Sequence, residues 1–186
     1  PGTVHTENTL RALAEPRHDA PLVLSTTVTI RPPTENGAVV AELDTVARQL
    51  DTAVFSCRST YLVVRGQKGQ RRGGQDAKDL PVLTGWRLPR NTGRAYARIS
   101  GDWNPIHLWT WSARLMGMKR PIIHGMHTLA RACAELEQAC GRRVLALEGR
   151  FRAPAPLGSE LVLGADLAAG SFAVGGGGRV VAEGSF

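Results

Sequence analysis

The sequence lacks long apolar runs, and none approaches the ~20 consecutive apolar residues that a membrane-spanning helix needs. Its first residues also lack the basic and then apolar succession of a secretory signal peptide. Cysteine is scarce, and Cys57, Cys133 and Cys140 stand in no metal-ligand spacing. If Cys133 and Cys140 share a helix, they lie roughly 10 Å apart along it, too far for a disulfide. We therefore expect a cytoplasmic chain that works without a membrane partner.

Acidic residues are few relative to basic ones, 16 against 23, and the formal net charge is +7. This excess favours an anionic partner, which could be nucleic acid, a phosphorylated cofactor or an acidic carrier protein. The densest basic stretch, "RGQKGQRRGGQDAKD" at 65–79, carries five basic residues among glycines and glutamines. We interpret it as part of a flexible linker over 66–85, because it has no apolar periodicity. Its RGG-like element is too short to indicate RNA binding, so no nucleic-acid partner is expected.

Apolar residues make up 42% of the chain, enough for a core at this length. Strand patterns rich in Val, Thr and Ile stand on both sides of a single long helical pattern. The predicted strands are 21–30, 38–47, 53–64, 143–153, 159–169 and 178–186. The helix is predicted over 124–140 with Gly141 as its stop, and 85–101 is predicted as a strand or extended arm. This order predicts an α+β fold with one central helix.

The stretch "YARISGDWNPIHLWTWSA" at 96–113 places Asp102 and His107 within six positions. An aspartate before Asn-Pro is typical of a turn or cap, and a histidine among apolar residues is often a hydrogen-bonded core residue. The alternative is an acid/base pair in a pocket. The tryptophans nearby are interpreted as packing residues, of which one could line an acyl tunnel. They are Trp103, Trp109 and Trp111.

A second group of candidate residues surrounds the start of the predicted helix, in "RPIIHGMH" at 120–127. The unpaired N–H groups of a helix start attract negative charge, and Gly125 lets a substrate oxygen approach the backbone. An acid, a base and such a donor are what the hydration of a double bond beside a thioester carbonyl requires. His124 and His127 could instead join His107 in a metal site. No carboxylate or cysteine stands in ligand spacing with them, so no metal is expected.

The residues "YARISGDWNPIH" at 96–107, followed after five residues by Ala113, resemble the signature of the MaoC-like, or (R)-specific, enoyl-CoA hydratase family. "RPIIHGM" at 120–126 follows at the distance that this family shows. The resemblance implies a hot-dog fold, in which a curved antiparallel sheet wraps a long helix. It also implies syn addition of water to trans-2-enoyl thioesters to give (3R)-hydroxyacyl thioesters, without a metal or redox cofactor.

The resemblance also implies the residues of the site. The catalytic dyad is Asp102 with His107, and Asn104 and Ser100 support it. The thioester oxygen is bound by the Gly125 N–H. The residues implied on the substrate side are Gly125, His124 and Cys133. Cys133 stands where family members often carry a serine, so the supporting hydrogen bond at that position is in question.

Residues 1–65 resemble the strand half of a preceding, degenerate hot-dog domain whose beginning is missing, as in double-hot-dog dehydratases. We therefore predict a partial N-terminal half over 1–65 and a catalytic domain over 86–186, forming a homodimer or a pseudo-dimer of two halves. The implied partner is an acyl-CoA or acyl-carrier-protein thioester. Two alternatives stay open, a catalytically silent acyl-thioester-binding subunit and a thioesterase, because a fold does not fix its chemistry.

Overall fold

The computed structural model describes residues 2–34, 37–64 and 80–186, and within them the predicted α+β fold is confirmed. The strands are β1 Gly2–Ala12, β2 Val23–Ile30, β3 Ala38–Gln49, β4 Thr52–Val64, β5 Val82–Arg87, β6 Ala146–Phe151, β7 Glu160–Asp166, β8 Ser171–Gly176 and β9 Arg179–Ser185. The helices are α1 Thr92–Ser100, a 3-10 helix Pro105–His107, α2 Thr110–Leu115 and α3 Gly125–Cys140. No helix in the described ranges is both long and apolar enough to cross a bilayer.

The chain divides into two compact units. The first comprises Pro1–Gly73, Val144–Arg150 and Gly184–Phe186, and the second comprises Gly74–Arg143 and Phe151–Glu183. The predicted linker residues 66–79 lie outside the described ranges. The division into a partial N-terminal half and a catalytic domain stays a prediction.

The first unit is built from antiparallel strands in the order β2-β3-β4-β1-β6. β3 and β4 meet in a two-residue hairpin, in which Gln49 pairs with Thr52 and both Leu50 and Asp51 have positive φ. Positive φ values at both central residues give the turn a twist that matches the twist of the two strands, which favours a two-residue hairpin. At one edge lies β2, which pairs with β3 and whose eight residues are all exposed.

The second unit holds the antiparallel order β9-β8-β7-β5 together with all the helices. Helix α3 buries Thr128, Leu129, Ala132 and Leu136, which recur every three or four residues on one face. Gly141 ends the helix in the left-handed conformation, as predicted.

Two boundaries differ from the predictions. The region predicted as an arm over 85–101 contains helix α1, because Gly93 and Ala97, four residues apart, are buried on one helical face. The predicted linker over 66–85 ends earlier, because Val82 and the residues after it pair with β7 as strand β5. Strands β1 and β8 also form where the sequence pattern predicted none.

Candidate active site

Asp102 follows helix α1 in a tight turn. Gly101 ends the helix with φ 73°, and the Asp102 N–H donates to the Ser100 Oγ over 3.2 Å. The Asn104 N–H donates to Asp102 Oδ1 over 3.0 Å, while the Asn104 side chain accepts from the Ile106 N–H and caps the 3-10 helix. Ser100 and Asn104 therefore fix the turn locally and leave Asp102 Oδ2 free of these bonds.

His107 lies in the 3-10 helix with its ring mostly buried, its side chain being 12% exposed. Its Nδ1 is 2.9 Å from the backbone oxygen of Ile122. Because a carbonyl oxygen only accepts, we assign the imidazole proton to Nδ1. The lone pair of Nε2 then faces Asp102 Oδ2 at 3.9 Å. This separation is longer than a direct hydrogen bond, so the basic nitrogen and the carboxylate are neighbours that do not bond to each other directly.

His124 immediately precedes helix α3 and is buried against His107. The two rings stack with centroids 3.7 Å apart and planes 28° apart. Its Nε2 donates to the backbone oxygen of Asp102 over 3.0 Å, and its buried Nδ1 has no hydrogen-bond partner in the described ranges. The ring thus connects the turn of Asp102 to the start of α3. This contact makes His124 a positioning residue for the dyad in addition to its implied place on the substrate side.

Burial disfavours the protonated form of two of these imidazoles. Burial lowers the pKa of His107 below its usual 6.5 and outweighs the Ile122 hydrogen bond and the Asp102 charge, which raise it. Burial likewise lowers the pKa of His127, and the neighbouring His124 and Arg131 lower it further. Burial and the negative charge of Asp102 raise the pKa of Tyr96, whose ring meets those of His124 and His127.

Gly125 is the first residue of α3, so its N–H has no partner within the helix. A Cβ at this position would lie 2.7–2.9 Å from three ring atoms of Phe151, so a side chain here requires this ring to move. Glycine therefore fits the packing here, whatever its role toward a substrate.

Cys133 lies eight residues further along α3, about 12 Å at the helical rise, and is half-buried. Burial, and secondarily the charge of Glu137, raise the pKa of its thiol. One turn after His124, and between Gly125 and Cys133, the fully buried Thr128 has a hydroxyl without a hydrogen-bond partner among the described residues. Sequence reasoning missed Thr128; the available signal was a hydroxyl residue on the apolar face of α3.

Ser112 is a second missed residue, and its role is structural. Its buried Oγ donates to the backbone oxygen of Pro105 over 2.6 Å, which ties α2 to the 3-10 helix that carries His107. The tryptophans nearby do not pack in the interior as predicted: Trp103, Trp109 and Trp111 are 52%, 42% and 65% exposed. Trp103 lies on the loop before the 3-10 helix, Trp109 caps α2 and Trp111 lies within it.

One group in the described ranges has the spacing of a metal site. Ligand atoms of Asp102, His107 and His124 lie within 4.8 Å of one another, whereas His127, considered from the sequence, is not part of the group. The fit to a cation is poor, because His124 Nε2 donates its proton to the Asp102 carbonyl and so offers no lone pair. The lone pair of His124 then lies on its buried Nδ1, and His107 Nε2 with the Asp102 carboxylate makes a set of two ligands, fewer than the three protein ligands of a catalytic zinc site.

The chain is similar in sequence and in fold to several known proteins. A 3-hydroxyacyl-thioester dehydratase Y of Mycobacterium tuberculosis is 32% identical over 114 residues, which cover 55% of this chain and 39% of that protein. The chain thus spans about two fifths of that relative. The crystal structure of HtdX from M. tuberculosis superposes with a TM-score of 0.82 at 22% identity, over 98% of this chain and 75% of that one.

A MaoC-like dehydratase from Phytophthora capsici superposes with a TM-score of 0.78 at 21% identity, over 99% of this chain and 71% of that one. These likenesses confirm the predicted hot-dog fold. The model of the MaoC-like domain matches residues 72–169, just over half of the chain, and this range contains Asp102, His107, Gly125 and Cys133. The chain therefore belongs to the MaoC-like domain family.

Proposed function

We propose that the chain is a lyase that reversibly hydrates trans-2-enoyl thioesters to (3R)-hydroxyacyl thioesters of fatty-acid metabolism. One observation carries the proposal: His107 Nδ1 is held by the Ile122 carbonyl, so its basic Nε2 faces the Asp102 carboxylate across 3.9 Å. A water molecule between these two groups has two acceptors for its protons. Its oxygen can then attack a substrate double bond that lies next to it.

The neutral imidazole is suited to carry the proton through the reaction. As the water oxygen bonds to C3 of the enoyl chain, one O–H bond breaks and its proton moves to His107 Nε2. The same proton then passes to C2 as the thioester enolate collapses, so hydroxyl and proton add to one face. Asp102 holds the water and stabilises the imidazolium that forms between the two transfers. This single-carrier scheme accounts for the syn addition that the family resemblance implies.

The enolate oxygen needs a donor, and the Gly125 N–H at the start of α3 is the candidate. Negative charge builds on the thioester oxygen only in the transition state, so a fixed N–H there lowers the barrier more than it strengthens substrate binding. The positive end of the helix dipole adds to this effect. The turn that presents Asp102 is fixed by hydrogen bonds that involve Ser100, Asn104 and His124, none of which reacts with the substrate in this scheme.

The substrate partner in this proposal is an acyl-CoA or acyl-carrier-protein thioester. The name of the dehydratase Y relative favours a thioester substrate, and the net charge of +7 suits either anionic carrier. We further propose a homodimer or a pseudo-dimer of two hot-dog halves as the working assembly. The three free thiols are consistent with the reducing cytoplasm expected from the sequence.

The test is a spectroscopic assay of crotonyl-CoA and a long-chain trans-2-enoyl-CoA, with chiral analysis of the product. We expect the (3R)-hydroxyacyl product. Asp102→Asn and His107→Ala should each lower turnover by at least ~100-fold, and the double variant should lose little more because the two residues act as a unit. Asp51→Asn and His18→Ala, two exposed positions in the first unit, are matched controls.

The same assay separates the alternatives. A silent binding subunit would bind the thioester without consuming the double bond, and a thioesterase would release free CoA. Near-normal hydration in a folded Asp102→Asn or His107→Ala variant would remove the pair from the mechanism.

A further inference from the structure

Two buried polar side chains stand one helical turn apart at the start of α3. His124 is 3% exposed and Thr128 is fully buried. Each has a polar atom without a hydrogen-bond partner in the part of the chain that the structure describes, Nδ1 of His124 and Oγ1 of Thr128. Buried polar atoms in folded proteins nearly always have a partner, so two such atoms one turn apart point to an interaction between them.

The histidine atom of this pair is an acceptor. His124 Nε2 is 3.0 Å from the backbone oxygen of Asp102, and a carbonyl oxygen has no proton to give. We therefore assign the proton of the neutral ring to Nε2, which leaves a lone pair on Nδ1. His107, which stacks on this ring, donates its own Nδ1 proton to the Ile122 oxygen over 2.9 Å. Nδ1 of His124 thus needs a donor other than His107.

Thr128 can supply this donor. Its backbone N–H donates to the His124 carbonyl over 3.4 Å, as expected for residues four apart in a helix. Side chains at this spacing lie on the same face of the helix. A threonine hydroxyl in a helix often donates to the carbonyl four residues earlier, which here is that of His124. The Thr128 hydroxyl does not make that bond, so its proton is available to the His124 ring.

The His124 ring links this hydroxyl to Asp102. Its Nε2 donates to the backbone oxygen of Asp102 and lies 3.8 Å from Asp102 Oδ2. The Asp102 side chain is 52% exposed, so the position of its carboxylate depends on how firmly the backbone of the turn is held. If the ring proton moved to Nδ1, the lone pair of Nε2 would face the carbonyl oxygen, and the turn would lose this hydrogen bond.

We propose that Thr128 is a positioning residue of the candidate active site. Its hydroxyl donates to His124 Nδ1, directly or through one buried water, and keeps the proton of that ring on Nε2, where it anchors the Asp102 backbone. Thr128 contacts no reacting atom in this scheme and acts through His124. The consequence for the reaction rests on the proposed function, whereas the hydrogen bond itself does not.

The first experiment observes the His124 ring by NMR of the full chain labelled with nitrogen-15 in histidine. Thr128→Val removes the hydroxyl and keeps the branched shape, whereas Thr128→Ser keeps the hydroxyl. In the parent and in Thr128→Ser we expect a proton on Nε2 and the nitrogen shift of a hydrogen-bonded lone pair on Nδ1. In Thr128→Val the Nδ1 resonance should move towards that of an unbonded nitrogen, or the tautomer with the proton on Nδ1 should appear.

Thr52→Val, at an exposed position of β4, is the matched control, and loss of the signal in His124→Gln identifies the resonance. The melting temperature is a second readout from the same proteins. Removing a hydrogen-bonded hydroxyl should lower it, whereas removing an unpaired buried hydroxyl should raise it. An unchanged Nδ1 resonance or a raised melting temperature in Thr128→Val would overturn the proposal, whether or not the chain catalyses hydration.

The second experiment measures the hydration of crotonyl-CoA by the same proteins. Thr128→Val should lower kcat about 10- to 100-fold with little change in KM, because displacement of a reacting group slows the chemical step more than it weakens substrate binding. Thr128→Ser should keep most of the parent rate. In a His124→Gln background Thr128→Val should cost little more, since the hydroxyl acts through the ring.

Equal kcat values in Thr128→Val and the parent, or equal losses with and without His124, would contradict the positioning role. A parent chain that hydrates no enoyl thioester would instead overturn the proposed function, and the NMR result would then decide the hydrogen bond by itself.

Discussion

The negative charge of Asp102 affects the pKa of His107, and a single substitution can measure this effect. The Asp102 carboxylate raises the pKa of His107, against the larger lowering by burial. In Asp102→Asn the charge is lost, so the pKa of His107 should fall further below 6.5. An NMR titration of the imidazole signals checks this, with Asp51→Asn as the control. A pKa that rises or stays constant would show that Asp102 does not stabilise the imidazolium.

The role of the Gly125 N–H can be isolated with proline, which lacks this donor. Proline is favoured at the first position of a helix, and His124 before it is extended, with φ −61° and ψ 136°, as a residue before proline must be. A side chain at position 125 would meet the ring of Phe151. An alanine variant and a proline variant are therefore compared in a Phe151→Ala background.

In that background Gly125→Ala keeps the N–H and Gly125→Pro removes it. We expect the proline variant to turn over ~100- to 1,000-fold more slowly than the alanine variant, the usual cost of losing one oxyanion donor. Melting temperatures of both proteins show whether each is folded. Equal turnover in two folded variants would leave Gly125 with a packing role alone.

The proximity of Asp102 and His107 was predictable, because both residues stand in one short motif, which the chain folds locally into a turn and a 3-10 helix. The bond from His124 to the Asp102 backbone was not predictable, because a sequence pattern does not show which carbonyl a distant ring will reach. The same limit applies to the buried Thr128 hydroxyl.

At the scale of elements, helix α1 packs closely against the segment of His107 at Gly93. A Cβ at Gly93 would overlap the His107 carbonyl oxygen and lie 3.2 Å from Leu157. Gly93→Ala should therefore displace the 3-10 helix, despite the better helix propensity of alanine. We expect a loss of about 1–3 kcal/mol of stability, typical of overpacking, together with lower turnover.

The control variant for Gly93→Ala is Gly175→Ala in β8. A Cβ at Gly175 would lie 3.7 Å from its nearest atom, which is an ordinary van der Waals contact. Denaturant unfolding and the hydration assay on both variants provide the measurement. A Gly93→Ala protein as stable and active as its parent would mean that α1 can move away from His107 at no cost.

The elements differ in how far the sequence determined them. The strands β2, β3 and β4 and helix α3 were predicted nearly to their ends, because each has a period of its own. Helix α1 is short, and the alternation of Tyr96, Arg98 and Ser100 with apolar neighbours resembles an extended arm. Its helical state depends on burying Gly93 and Ala97 against the rest of the unit, which is a tertiary effect.

At the scale of the whole molecule, stability should depend on pH through half-buried histidines. Burial lowers the pKa values of His5, His107 and His127 below 6.5. As pH falls through 6.5, the unfolded chain therefore binds protons that the folded chain does not, and the folded state loses stability. The stabilisation is fully present above pH 6.5 and is lost progressively toward the lowered pKa values.

Denaturant unfolding between pH 7.5 and 5.5 at constant ionic strength measures this dependence. Most carboxyl groups titrate below this pH range and so contribute little to the change. His127→Gln should reduce the slope of unfolding free energy against pH without abolishing it. His18→Gln, at an exposed position, is the control. A slope of opposite sign would mean that these imidazoles are protonated in the folded protein.

The edge strand β2 has a consequence for how the protein behaves in concentrated solution. Its apolar side chains Val23, Leu24, Val28 and Ile30 are 58–68% exposed, and among the described strands it pairs with β3 alone. An edge strand of this kind presents backbone N–H and C=O groups without strand partners next to an apolar surface. Both features favour edge-to-edge self-association. The basic net charge opposes this through colloidal repulsion, which salt weakens. Solubility should therefore be greatest in dilute, low-salt buffer.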